Sequence, residues 1–377
     1  MAAILGEMMV LLATSVGNNA VPPAEAPRLD PATAVADGGL LWYDAQALDV
    51  EGRGWGDTEQ PYDRLPARAK GTVREQLWQL SKHSAGIAVR FVTDAEEISA
   101  RWALRSEPMP LEYMAASGSS GLDLYARDGD RWRWAGLARP KTAGENTARM
   151  LVGIPSVAHE YLLYLPLFNG VESVRIGVKP GTTVSKAPPR VDARPLVFYG
   201  TSITHGVAAS RPGMSYPAIL GRRLGRSFIS LGFASNGTMD PELADLMAEL
   251  DAAAYVVNCL PNMDATQVAA RTRPFVERLR KSRPDTPILL VEHVEQSNAW
   301  LLPPLERGIQ ANNAALRAAY DGLTAAGVAK VYYVPNPELF GHDSEAAVDG
   351  IHPSDLGFTR IADTLEPVLR RVLTDKP

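Results

Sequence analysis

Cysteine is all but absent. Cys259 is the single one in 377 residues, so no intrachain disulfide and no thiolate metal site can form. It lies in the apolar run Tyr255-Val256-Val257-Asn258-Cys259-Leu260, which predicts a buried and inert thiol. Histidine is also scarce: the six (His83, His159, His205, His293, His342, His352) show no ligand spacing, so neither a metal site nor a cofactor is expected. A glycine-rich phosphate loop ending in lysine is missing. No charge of one sign dominates, since 38 basic residues stand against 43 acidic ones for a net charge of -5. That balance, with no basic run interleaved with aromatics, gives no footprint for nucleic acid or an anionic membrane. The apolar runs are too short to span a bilayer, so no membrane insertion is expected, and there is no internal repeat.

The N-terminus is the one stretch that looks like a targeting segment. Met8 to Val16 is apolar and is followed by Gly17, Asn18, Asn19 and Ala20, like the back half of a secretory signal. Against that, no Lys or Arg precedes it and Glu7 interrupts it. Residues 1–36 are therefore read as a tail or partial signal segment, with a periplasmic or secreted location expected and a cytosolic tail as the alternative.

What the chain does contain is two regions of different rhythm. Over residues 37–178 short strands alternate with a two-residue period: Ile87 to Val92, then Glu97 to Leu104. Gly121 to Arg127 runs into Asp128-Gly129-Asp130 and re-emerges as Arg131-Trp132-Arg133-Trp134, a hairpin. His159 to Leu167 and Ser173 to Val178 complete the set, which predicts an all-β sandwich. A Pro-rich connector over 179–194 follows. From 195 to 377 strands alternate with helices. The strands are Pro195–Tyr199, Ser227–Gly232, Ala254–Leu260, Pro287–Val294 and Lys330–Val334. The helices are Met214–Gly225, Pro241–Leu250 with Asp240 as N-cap, Thr266–Lys281, Pro304–Ala326 and Ser354–Leu373. That alternation predicts a parallel sheet covered on both faces.

Two stretches carry chemistry. Gly200-Thr201-Ser202 follows the first strand of the α/β region, where such sheets bind ligands, and a serine there can borrow backbone N–H groups from the turn. Near the C-terminus stands Asp349-Gly350-Ile351-His352-Pro353. An Asp three residues before a His can hold imidazole Nδ1 and leave Nε2 free to take a proton from a serine. Each stretch alone equally suits a tight turn or an exposed loop. Together, at the ends of two strands of one sheet, they reinforce each other.

The combination resembles the SGNH, or GDSL-type, hydrolases. Gly200-Thr201-Ser202 stands where that family has Gly-Asp-Ser, and Asp349-x-x-His352 fits its last block. Ser230-Leu231-Gly232-Phe233-Ala234-Ser235-Asn236-Gly237 and Leu260-Pro261-Asn262-Met263 occupy the two middle blocks, with Ser235 where Gly is usual and Leu260 replacing a Gly. Gly121-Leu122-Asp123-Leu124-Tyr125 looks like the Gly-x-Asp-Leu-Tyr signature of an N-terminal β-sandwich that accompanies one branch. Read structurally, Asp123 and Tyr125 are strand residues and not catalytic ones. The resemblance implies a flavodoxin-like three-layer α/β/α catalytic domain behind a jelly-roll-like sandwich. It also implies Ser202 as nucleophile, His352 as general base and acid, and Asp349 as its orienter. The oxyanion donors would be the N–H of Ser202, the N–H of Ser235 or Gly232, and the amide of Asn262.

The implied activity is a serine esterase acting on short-chain, acetyl-type esters of a saccharide or other small molecule. The alternatives are an acyltransferase using the same acyl-enzyme, and a carbohydrate-binding protein on an inactive hydrolase scaffold. His205, Asn298 and Trp300 are weaker candidates for the pocket wall, with turn or surface-loop roles at least as natural.

Overall fold

The period-two stretches of the first half fold as two antiparallel sheets laid face to face. The computed structural model describes residues 27–107 and 111–374, so the signal-like stretch lies outside the described residues. One sheet runs Val35–Asp37, Leu40–Asp44, Val171–Val178, Glu97–Leu104, Gly144–Val152. The other runs Val184–Lys186, Ala88–Thr93, His159–Tyr164, Leu122–Asp128, Arg131–Ala138, with Asp49–Glu51 also paired to Ala88–Thr93. Tyr43, Ile98, Trp102 and Ile176 from the first sheet meet Phe91, Leu124 and Leu163 from the second in one buried cluster, the alternation that a sandwich core demands. The expected hairpin is present, with Asp128 opposite Arg131 and Gly129 at φ +59° in the turn.

Five parallel strands make the second region. Their order is Phe228–Gly232, Leu196–Gly200, Ala254–Asn258, Ile288–Val291, Val331–Val334, the flavodoxin-like arrangement. Alternate residues face opposite layers. Val197, Tyr199, Ile229 and Val257 pack under the helices Pro241–Glu249, Ala265–Ser282 and Pro303–Ala325. Phe198, Val256 and Leu289 pack under Tyr216–Arg223 and Asp355–Thr374. Burying both faces explains why these strands read as unbroken apolar runs.

The two regions share their cores. Trp55, Leu65, Leu77 and Trp78, from the segment between sandwich strands, complete the first layer beside Leu246 and Leu250. Tyr125, Leu162 and Tyr164 of the sandwich join the second, beside Phe228. Arg64 fixes this seam. It is 1 % exposed and donates to four backbone carbonyls: His83 O (2.9 Å), Leu80 O (2.6 Å), Ser230 O (3.1 Å) and Gly232 O (2.7 Å). Burial pulls its pKa down to about 9, partly opposed by Asp63. Four carbonyl acceptors are what make a buried guanidinium tolerable.

Asp240 is the N-cap residue of Pro241–Glu249, as expected, though its side chain makes no cap bond; its carboxylate is held by Arg74 (3.0 and 3.1 Å) and by the Tyr199 hydroxyl (3.3 Å). The Pro-rich connector is not bare, since Val184–Lys186 within it pairs with Ala88–Thr93.

Candidate active site

The strand Leu196–Gly200 ends in a glycine because nothing larger fits. A Cβ on Gly200 would lie 2.2 Å from Thr204 Oγ1 and 2.4 Å from the Asn258 carbonyl. The chain turns at once into a single helical turn, Ser202–His205, whose N-cap Thr201 accepts from the Ile203 N–H. Gly206, at φ +102°, ends it. Ser202 thus sits at the first helical position, where a backbone N–H has no intrahelical acceptor, at the carboxyl end of a central strand.

Asp349 and His352 lie in the loop before the closing helix, 150 residues later in the chain. Ser202 Oγ stands 2.9 Å from His352 Nε2. His352 Nδ1 is 2.7 Å from Asp349 Oδ2, and Asp349 Oδ1 accepts from the backbone N–H of His352 (2.8 Å) and of Ile351 (3.1 Å). Burial of the Asp349 carboxyl works to raise its pKa, but those three donors outweigh it and hold the group below the ordinary carboxylate range. An ionised Asp349 fixes the Nδ1–H tautomer and turns the Nε2 lone pair toward Ser202.

The two middle blocks converge on the same spot. Gly237 N–H donates to Asn262 Oδ1 (3.2 Å), which orients the amide and leaves Nδ2 without a partner among the described residues. Gly237 itself packs 2.2 Å, Cβ position to oxygen, from the Gly200 carbonyl. Ser235, which stands where glycine is usual, has φ +57°, the left-handed region that favours glycine. Gly232 is committed differently: its carbonyl accepts from Arg64, and a Cβ there would meet the His205 backbone N at 2.2 Å.

The weaker candidates separate. His205 is fully buried, stacked on Phe168 at 3.9 Å between ring centroids, with His83 at 5.3 Å. It packs behind the nucleophile turn, away from solvent. Trp300 is 71 % exposed; Asn298 touches the Asp349–His352 loop at Gly350. Asp123 is fully buried and accepts from Arg211 (2.9 Å), Gly213 N–H (2.8 Å) and Trp134 Nε1 (3.0 Å), so the Gly-x-Asp-Leu-Tyr stretch bolts the sandwich to the loop after Ser202. Sequence reasoning missed Tyr113, a sandwich-side residue whose ring lies stacked 6.1 Å from the His352 ring. Nothing in its local pattern marked it, because the contact spans the whole chain.

Comparisons with known proteins identify the family. The model of the GDSL-like lipase/acylhydrolase family matches residues 193–370, and that of the GxDLY N-terminus of SGNH-type esterases matches residues 40–184. A protein from Bacteroides ovatus assigned as a GDSL-like lipase is 30 % identical with a TM-score of 0.84, over 89 % of this chain and 99 % of its own. The salicylyl-acyltransferase SsfX3 of a tetracycline biosynthetic pathway shares the fold at 18 % identity and TM-score 0.71, over 90 % of this chain and 99 % of its own. A family two carbohydrate esterase from Clostridium thermocellum, bound to cellohexaose, shares it at 17 % and 0.53, over 77 % and 93 %. No curated protein matches the sequence. With both domain models matched in order and a relative aligned over nearly its full length, the chain belongs to the GDSL-like lipase/acylhydrolase family, in the branch with a GxDLY N-terminal sandwich.

Proposed function

We propose that this protein is a serine esterase that removes short acyl groups, acetyl foremost, from esterified carbohydrates through an acyl-enzyme on Ser202. The observation that carries the reading is the continuous chain of contacts from Ser202 Oγ through His352 to Asp349, at 2.9 and 2.7 Å. Ser202 Oγ attacks the ester carbonyl carbon while its proton passes to His352 Nε2. The oxyanion is held by the N–H groups of Ser202 and Ser235 and by Asn262 Nδ2. Ser235 is chosen over Gly232 because Gly232 lies within the paired strand Phe228–Gly232, opposite Gly200, whereas Ser235 stands in the turn beyond it. The intermediate collapses as His352 gives its proton to the leaving alkoxide. Water then attacks the acyl-enzyme with His352 again as base, releasing the carboxylic acid and restoring Ser202.

The saccharide is supported by analogy with the carbohydrate esterase of the same fold. The experiment is product analysis on acetylated xylo-oligosaccharides, with and without an added alcohol acceptor. Free acetate in both cases supports the reading. Acyl transfer to the acceptor at the expense of acetate would instead make the protein an acyltransferase, the activity of SsfX3. Glycan binding with neither product would leave a binding protein on a hydrolase scaffold.

A further inference from the structure

A cleft of about 640 Å³ opens where the sandwich hairpin Leu122–Ala138 meets the helices Tyr216–Arg223 and Asp355–Thr374. None of its lining residues is Ser202, Asp349, His352, Ser235 or Asn262. Both helices run away from the carboxyl ends of the strands, so the wall formed by Arg222, Arg223 and Arg370 lies toward the far edge of the sheet from Ser202.

Five arginines and two carboxylates line it. Most of the arginines are spoken for. Arg211 pairs with Asp123 (2.9 Å), Arg223 with Asp363 (2.6 Å) and Glu366 (3.2 Å), and Arg370 with Glu366 (2.6 Å). Arg222 is different. No carboxylate stands within salt-bridge distance of it among the described residues; the buried Asp123 carboxylate acts on it through space, the Tyr164 hydroxyl takes one hydrogen bond from it, and its guanidinium lies 4.0 Å over the Tyr125 ring and 5.5 Å from the Tyr164 ring. One of its η nitrogens is buried and has no hydrogen-bond partner among the described residues. A buried, unpaired donor on a fixed cation is costly, and such a group calls for a partner, of which a bound ligand is one kind. Across the cleft the hairpin supplies Arg131, whose only ion pair among the described residues is a loose 3.9 Å contact with Asp130 at the surface. Trp132, Met214 and Ile219 add apolar wall between the two.

A fork-shaped donor set matches a carboxylate, and the ring and aliphatic wall match a body that shuns water. We propose that this cleft binds a small organic carboxylate, its anionic end on Arg222 and Arg131 and its apolar body against Trp132, Met214 and Ile219. The ligand would touch the sandwich and both catalytic-domain helices at once, so binding stabilises the seam between them.

Calorimetric titration and thermal melts of the full chain with three probes test this: phenylacetate, its neutral isostere phenylacetamide, and inorganic phosphate. The expected result is saturable phenylacetate binding with a rise in melting temperature, weakened at least tenfold in Arg222→Gln and several-fold in Arg131→Gln. Phenylacetamide and phosphate should each bind at least tenfold more weakly than phenylacetate. Arg131 is exposed on the hairpin, so its variant folds even if Arg222→Gln is impaired. Equal binding of phenylacetamide, equal binding of phosphate, unchanged affinity in Arg131→Gln, or no saturable binding of phenylacetate would each overturn the proposal. Binding should persist in Ser202→Ala together with its Arg131 dependence; loss of that dependence would place the ligand in the ester site and overturn it too.

Discussion

Replacing Asp349 by asparagine changes one atom and should remove almost all turnover. In the native protein Oδ1 accepts from the His352 and Ile351 N–H groups (2.8 and 3.1 Å), while Oδ2 accepts from His352 Nδ1 (2.7 Å). Asparagine can keep Oδ1 in place for both backbone donors, so the loop geometry survives. Its Nδ2 then faces the imidazole as a donor, and Nδ1 must become an acceptor. The ring proton moves to Nε2, which points at Ser202 Oγ 2.9 Å away and can no longer take the serine proton. The same exchange in a Ser-His-Asp protease costs roughly 10⁴ in rate, or about 5 kcal/mol of barrier. Stability should change little, because one charge-assisted bond is worth about 1.5–3 kcal/mol and part of it is retained. The assay is kcat/KM for p-nitrophenyl acetate alongside a thermal melt. Turnover within tenfold of wild type, at an unchanged melting temperature, would refute the orienting role given to Asp349.

Asn262→Ala removes the side-chain donor and should lower kcat by roughly 10²–10³ with KM little changed; a loss under threefold contradicts its placement at the oxyanion. Gly213→Ala puts a Cβ 2.4 Å from Tyr125 Cε2 and 2.7 Å from Asp123 Oδ2, and overpacking of this kind costs about 1–3 kcal/mol, read as a lower urea midpoint. His83 and His205 are buried beside Arg64, and burial first, then the guanidinium, drives both pKa values down, His83 to about 3. Their folded values lie below the unfolded value of about 6.5, so the unfolded chain binds more protons in between. Stability is then full above about pH 6.5 and falls as pH drops below it, toward about 3 for His83. Equal urea stability at pH 7 and pH 5 would contradict that.

Elements with a strong period were legible in the sequence. Glu97–Leu104, the Asp128–Arg131 hairpin and the five parallel strands all announce themselves by alternation or by unbroken apolar runs. Gly144–Val152 escaped notice although it is nine residues long, because its buried face carries the polar Asn146 and only Ala148 and Met150 mark it as apolar. Leu40–Asp44 and Val184–Lys186 escaped because each is short and framed by turn residues. Among the candidate site residues, Ser202, Asp349, His352 and Asn262 stand in local motifs around strand ends, and the structure brings the first three into hydrogen-bond contact. Arg64 and Tyr113 are not. Each acts across the seam between domains, on Gly232 and His352 respectively, and a contact of that kind leaves no trace in either local pattern. The φ of +57° at Ser235 is the structural reason that a glycine is common there, which the sequence showed only as a departure.

Ser202 carries the acyl group in the proposed reaction. Stopped-flow hydrolysis of p-nitrophenyl acetate by wild type and Ser202→Ala, with mass spectrometry of the quenched enzyme, follows the acyl group itself. The prediction is a burst of nitrophenolate, a 42 Da acetyl adduct on the peptide holding Ser202 (roughly the mass of an acetyl group replacing a proton, as acyl-enzyme chemistry requires), and loss of both in the variant. Turnover that survives in Ser202→Ala, or an adduct on another residue, would contradict the mechanism.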